Sequence, residues 1–112
     1  MPKKRRDLHI AEAAFLFAAL GDQTRLMLLQ RLAESGPVSI SVLAQTFDVS
    51  RQAVTKHLQA LAAAGLIDGV RAGREHVWRV NGSRIAEAQR CLELIARGWD
   101  DALGRLKTHL ES

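Results

Sequence analysis

The chain has 112 residues, of which 47% are hydrophobic and 25% are charged, a balance typical of one globular domain. No apolar run reaches the roughly 18 residues of a membrane span, and a single cysteine excludes an internal disulfide, so we expect a cytoplasmic protein with no membrane partner. Residues 1–7 hold four basic residues and one acidic residue, and residues 51–80 hold five basic and two acidic ones, a distribution that favours a polyanionic partner.

Two helices are predicted at the start of the chain. Residues 8–20 are apolar with helical spacing and almost uncharged, which indicates a first helix enclosed on several sides. Gly21 ends this helix, and Asp22 is a suitable N-cap for a second helix over about residues 23–33. The buried side of the second helix is expected to hold Leu26, Leu29 and Leu32.

A helix-turn-helix is predicted in the middle of the chain. Residues 40–47 favour a short third helix, and Ser50 is placed to cap a fourth helix over about residues 51–63, which Gly65 ends. The two helices are joined by about three residues, and Ala44 is small enough to allow their close approach. The expected inward residues are Leu43, Ala44 and Phe47 in the third helix and Val54, Leu58 and Leu61 in the fourth.

The outer side of the fourth helix carries residue types that suit DNA. Arginine and lysine contact phosphates or the guanine edge, glutamine pairs with adenine, and threonine meets a phosphate or a thymine methyl group. Free backbone N–H groups at the helix start add a phosphate site. The predicted DNA contacts within residues 50–63 are Ser50, Arg51, Gln52, Thr55, Lys56 and Gln59. His57 falls toward the buried side, where a packing or hydrogen-bonding role is expected.

A β-hairpin is predicted next. The segments "LIDGVR" and "EHVWRV" read as short strands separated by "AGR", a turn that contains glycine. Alternation places His76, Trp78 and Val80 on one face, so His76 is interpreted as a structural residue. The tip is predicted to contact the DNA backbone or the adjacent minor groove and to supply affinity rather than base reading. Its contact residues, within 71–74, are Arg71, Gly73 and Arg74.

The last predicted helix covers residues 84–110 and is longer than a small domain needs. Its apolar residues form a seam over about seven turns, so a second helix is expected against it. The predicted dimer contacts are Phe15 of the first helix and Leu92, Ile95, Trp99, Leu103 and Leu106 of the last. Cys91 flanks this seam and is interpreted as a small interface residue, with redox sensing as the less favoured alternative.

Three segments together resemble the ArsR/SmtB-type winged helix-turn-helix repressors: "AALGDQTRLMLLQRLAE", "SVLAQTFDVSRQAVTKHLQALAAAGLI" and "GREHVWRV". The resemblance covers residues 8–110, because these motifs occur in the family's order and spacing. It implies a mainly α fold with a small β-hairpin wing, in the order α-α-α-α-β-β-α. It also implies a homodimer through the first and last helices, with two recognition helices in successive major grooves of a near-palindromic operator. Residues 1–7 are predicted to be a separate basic arm, either a DNA contact or a solubilising tail.

The metal sites of the family do not carry over to this chain. Relatives sense metals through paired cysteines before the recognition helix, where this sequence has Ser39 and Ser41, which are poor ligands for thiophilic metals. A second family site needs paired aspartate and histidine in the last helix, and no Asp-x-His pair occurs there. We therefore predict no metal site and no cofactor, and the effector stays open.

The favoured function is a sequence-specific DNA-binding transcriptional regulator that acts as a dimeric repressor. The alternative is a winged-helix module that uses the same face to bind an acidic protein. The glutamines and threonine of the fourth helix and the basic wing argue for DNA. An enzyme is not expected, because the sequence offers no carboxylate pair, nucleophile–base set or phosphate loop.

Overall fold

The computed structural model of the protein describes residues 8–111, so the predicted basic arm of residues 1–7 lies outside the described residues. The chain is mainly helical with a small sheet, and this confirms the predicted fold class. The elements are α1 (Ile10–Leu20), α2 (Gln23–Ser35), β1 (Val38–Ser39), α3 (Ile40–Phe47), α4 (Arg51–Ala63), β2 (Ile67–Ala72), β3 (Glu75–Val80) and α5 (Gly82–Glu111).

The sheet is antiparallel and has three strands in the order β1-β3-β2, one more than the sequence predicts. The extra strand pairs Val38 with Trp78 and Ser39 with Val77. A two-residue strand has no alternation to reveal it, so the sequence predicts only a break at this point. It forms because the outer edge of β3 offers backbone groups that need hydrogen-bond partners.

One apolar core lies between the helices and the sheet. The prediction that Leu26 faces this core is wrong, because Leu26 is 49% exposed whereas Leu28 is fully buried. Residues 26–29 are all apolar, so helical periodicity alone does not fix the rotation of α2. The side chain of Arg25, which shares a face with Leu28 and Leu32, turns to α1 and thereby sets that rotation. The largest fully buried side chains are Leu16, Leu28, Leu32, Leu43, Val54, Leu58, Leu61, Leu66 and Ile67.

The turn between α1 and α2 is fixed by Asp22 and Arg25. As predicted, Asp22 caps α2, and its Oδ2 accepts from the backbone N–H of Arg25 at 3.0 Å. The same backbone N–H is the main reason that the pKa of Asp22 is lowered, with smaller contributions from the Arg25 and His57 charges and an opposing effect of burial. Arg25 Nε donates to the carbonyl of Ala19 at 2.6 Å and so satisfies the end of α1.

The long helix α5 is anchored to the body at its start and leaves it further on. Arg84 Nε donates to the carbonyl of Ala64 at 3.0 Å, and Arg84 Nη1 lies 3.4 Å from Glu12 and 3.0 Å from Glu87. Gly65 has a φ of 77°, and a Cβ there would approach Arg84 Nε to 3.1 Å, so this glycine permits the anchor. Ala88 is the one buried residue of α5. Ile85 also packs against the core, whereas residues 92–111 are exposed apart from the partly buried Ala102.

Candidate nucleic-acid interface

Helix α4 presents two distinct sides. Its aliphatic side is fully buried, and its polar side is open to solvent. The buried residues are Val54, Leu58 and Leu61. Among the predicted contact residues of this helix, Arg51, Gln52, Lys56 and Gln59 are exposed, and Thr55 is partly buried. The spacing of aliphatic residues therefore orients the helix as the sequence predicts.

The start of α4 is held by local hydrogen bonds. Ser50 Oγ accepts from the backbone N–H of Ala53 at 3.1 Å, so the serine defines the helix start. Thr55 Oγ1 donates to the carbonyl of Arg51 at 2.7 Å, which fixes the hydroxyl. Asp48, in the turn before the helix, takes the left-handed conformation with a φ of 51°. These bonds hold the end of α4 that would point at a duplex.

Five of the predicted contact residues line one open depression of about 490 Å³, and Ser50 precedes them at the helix cap. The lining contains two cations, two amides and one hydroxyl, without a carboxylate, so it attracts an anion and offers both donors and acceptors to base edges. The lining residues are Arg51, Gln52, Thr55, Lys56 and Gln59.

His57 links α4 to the start of α2. Its Nδ1 lies 3.8 Å from Oδ2 of Asp22, the residue that caps α2. The His57 side chain is partly buried, in keeping with the structural role predicted for it. This contact ties α4 to the α1–α2 turn on the side away from the exposed polar residues.

The wing places its predicted contact residues at an exposed tip. Strands β2 and β3 are joined by Gly73 and Arg74, and Gly73 has a φ of 65°, which suits a two-residue hairpin turn. Arg71, Gly73 and Arg74 are all exposed. Arg71 and Arg74 line a hollow of about 320 Å³ that is separate from the depression on α4.

Sequence reasoning missed two further residues of this hollow, Gly69 and His76. The His76 ring stacks on Trp78, as expected for a structural residue on that face, and its side chain is nevertheless exposed. A glycine inside a strand pattern marks a close approach by another group, and this signal was available at Gly69.

An apolar stripe is exposed on α1 and α5. The predicted dimer residues are each between 48% and 65% exposed in the single chain. Trp99 also borders a hollow of about 330 Å³ with Ile95, Gly98 and Ala102. The stripe consists of Phe15, Leu92, Ile95, Trp99, Leu103 and Leu106.

The position of the family's cysteine motif has a structural role here. Ser39 is the N-cap of α3, where its Oγ accepts from the backbone N–H of Val42 at 3.4 Å. Within residues 8–111, no three histidine, cysteine or acidic side chains are grouped to hold a metal ion. No helix in that range is long and apolar enough to cross a membrane.

Known proteins share both this sequence pattern and this fold. A family model described as a helix-turn-helix domain matches residues 20–70. The HTH-type transcriptional regulator Rv2034 of Mycobacterium tuberculosis is 36% identical over 85 residues, which cover 76% of this chain and 76% of that protein. An ArsR-like transcriptional regulator from Rhodococcus sp. RHA1 has a TM-score of 0.79 and 44% identity, covering 88% of this chain and 92% of that one. The chain belongs to the ArsR/SmtB family.

As an ArsR/SmtB-family protein, this chain is a DNA-binding transcriptional regulator with a winged helix-turn-helix fold. The matched range covers α2, α3 and α4 and reaches into β2, so it contains the recognition helix. A further relative of known structure, Mb0332 from Mycobacterium bovis, is described as a homodimeric winged helix-turn-helix DNA-binding domain. It has a TM-score of 0.64 and 25% identity, covering 86% of this chain and 85% of that one.

Proposed function

We propose that this ArsR/SmtB-family regulator is a homodimeric cytoplasmic repressor that binds a near-palindromic operator. Residues 50–63 would enter the major groove, and residues 71–74 would contact the backbone or the adjacent minor groove. The observation that carries this proposal is the two-sided recognition helix, whose aliphatic residues are fully buried while a carboxylate-free polar side faces solvent.

The two halves of the interface have different tasks in this proposal. Arg51 and Gln52 lie in the first turn of α4, the end of a recognition helix that approaches base edges. Arg74 lies in the wing turn, where a cation gains attraction to phosphates without reading sequence. Specificity would therefore come from α4, and salt-dependent affinity from both α4 and the wing.

The dimer would form through the apolar stripe on α1 and α5. A row of half-exposed leucines with Trp99 at its middle is unfavourable in water and is typical of an association surface. Beside Trp99, the small residues Gly98 and Ala102 leave room for a partner side chain. Two-fold pairing of the stripe would give two copies of α4, as a near-palindromic site requires.

The alternative function, binding of an acidic protein, would use the cations of this face but would have no use for its amide groups. A face that only attracts acidic side chains needs cations, whereas Gln52 and Gln59 offer the paired donor and acceptor that adenine requires. Base-specific binding therefore separates the two functions.

Substitutions in α4 and in the wing should have different effects on DNA binding. Gln52→Ala and Arg51→Ala should each reduce discrimination between the operator and single-base variants by about 1–3 kcal/mol, because a base-edge contact is lost. Arg74→Ala should weaken all duplexes by a similar factor and lower the salt dependence. Fluorescence anisotropy with operator and variant duplexes measures both effects.

Gln89→Ala is the matched control, since Gln89 is exposed on α5, outside α4 and the wing. It should leave affinity and discrimination unchanged. The division of tasks would be contradicted if Arg74→Ala abolished the preference for a single base. It would also be contradicted if Arg51→Ala and Gln52→Ala both kept full discrimination.

A further inference from the structure

Gly69 leaves a space in the wing that a neighbouring side chain fills. It lies on β2 directly opposite Trp78 of β3. A Cβ at residue 69 would collide with the Nε2 atom of His76, so any other residue would displace the imidazole. The strand therefore carries glycine where the histidine ring lies across it.

The His76 ring is held in place although it is exposed. It stacks on Trp78 with 4.7 Å between ring centroids and 24° between ring planes. Trp78 itself is buried in the core, so the ring rests on a fixed support. A side chain held in this way loses little conformational entropy when it binds a ligand.

Two charged side chains lie next to His76, and both are cations. Arg71 is its direct partner across the two strands, and Arg74 lies in the adjoining turn. Together with Gly69, these residues line the hollow of about 320 Å³. Strand alternation puts the other charged residues of the hairpin on its opposite face. These are Asp68, Glu75 and Arg79.

We propose that this hollow binds one backbone phosphate of DNA, with protonated His76 donating to it beside Arg71 and Arg74. The assignment rests on the proposed DNA-binding function and adds His76 as a phosphate ligand and Gly69 as its positioning residue. The hollow suits a phosphodiester because such a group accepts several charge-assisted hydrogen bonds and has no proton of its own to donate. Its lining contains no carboxylate that would repel the phosphate.

Binding through an imidazolium makes the contact depend on pH. A phosphodiester stays anionic across the range in which imidazole ordinarily gains a proton, roughly pH 5 to 8. Phosphate binding favours the protonated ring, so the His76 contribution is present at the acidic end of that range and is lost as pH rises. The chain holds three other histidines, His9, His57 and His109, so the informative quantity is the difference in affinity between the wild type and a His76 variant.

The test compares wild type, His76→Gln and Arg79→Gln on the operator duplex at about pH 6 and about pH 8, at constant ionic strength. At the lower pH, His76→Gln should bind about 3- to 10-fold more weakly than wild type, and at the higher pH the two should be nearly equal. Arg79→Gln removes a charge from the opposite face of the same strand. The ratio of its operator affinity to that of the wild type should not change with pH.

If the ratio of the wild-type affinity to the His76→Gln affinity were the same at both pH values, the phosphate role of His76 would be overturned and the proposed function would stay intact. Absence of operator binding by the wild type at both pH values would overturn the proposed function itself. Gly69→Ala supplies a second variant, with Arg71, Arg74 and His76 all retained. This variant should lose the same pH-dependent gain in operator affinity, because the added methyl group displaces the His76 ring.

The source of the phosphate is tested by NMR of the His76 ring protons in the full-length protein. The operator duplex should shift these signals in wild type but not in Gly69→Ala. Inorganic phosphate at the same ionic strength should leave them in place. Equal shifts with inorganic phosphate would identify a free-phosphate site and overturn the assignment to the DNA backbone.

Discussion

Leu103→Asp is expected to convert the dimer to single chains and to weaken operator binding by about 100-fold or more, since the two half-sites are no longer bound together. Leu103 lies in the exposed apolar stripe, so the carboxylate would have to be buried without a partner in the dimer. The substituted position is exposed in the single chain, and the fold should therefore survive. Light scattering measures the molar mass, which is 12.3 kDa for one chain.

Thr108→Asp is the matched control for this variant. Thr108 is exposed on the same part of α5, and helical geometry places it about 180° around the axis from the centre of the stripe. The Thr108→Asp variant should remain dimeric and bind the operator with wild-type affinity. If Leu103→Asp stayed dimeric with full affinity, the stripe on α5 would not be the dimer surface.

Leu58→Ala should lower the free energy of unfolding by about 2–5 kcal/mol, because the side chain is fully buried and its loss leaves a cavity. Gln59→Ala, at the next position but on the exposed side, should change that free energy by less than about 0.5 kcal/mol. Urea denaturation at a fixed protein concentration measures both, since dimerisation links stability to concentration.

Gln59→Ala should have its effect on DNA binding rather than on stability. Gln59→Ala should weaken operator binding while its stability is unchanged, because its side chain lines the depression on α4. A loss of stability in Gln59→Ala as large as in Leu58→Ala would contradict the two-sided orientation of the helix.

Local signals explain why α4 could be predicted accurately from the sequence. Ser50 caps the helix through a bond to a residue three positions away, and the aliphatic residues repeat at helical spacing. Both features depend on neighbours along the chain. The wing tip is similar, since Gly73 meets a requirement of its own turn.

The features that sequence reasoning missed depend on contacts between distant segments. β1 exists because β3 offers a free edge, and the rotation of α2 follows from the bond between Arg25 and α1. Arg84 reaches the carbonyl of Ala64 twenty positions earlier, which helical periodicity does not encode. The place of His76 depends on Gly69 across the hairpin, and neither residue alone indicates a phosphate contact.

The most direct test of the central claim is binding to duplexes from the DNA upstream of the protein's own gene, measured across a series of salt concentrations. We predict that one site is preferred. The logarithm of the binding constant should fall linearly with the logarithm of salt concentration, with a slope of about 0.9 for each phosphate contacted. Equal affinity for every duplex, or no binding at low salt, would contradict sequence-specific recognition through α4 and the wing.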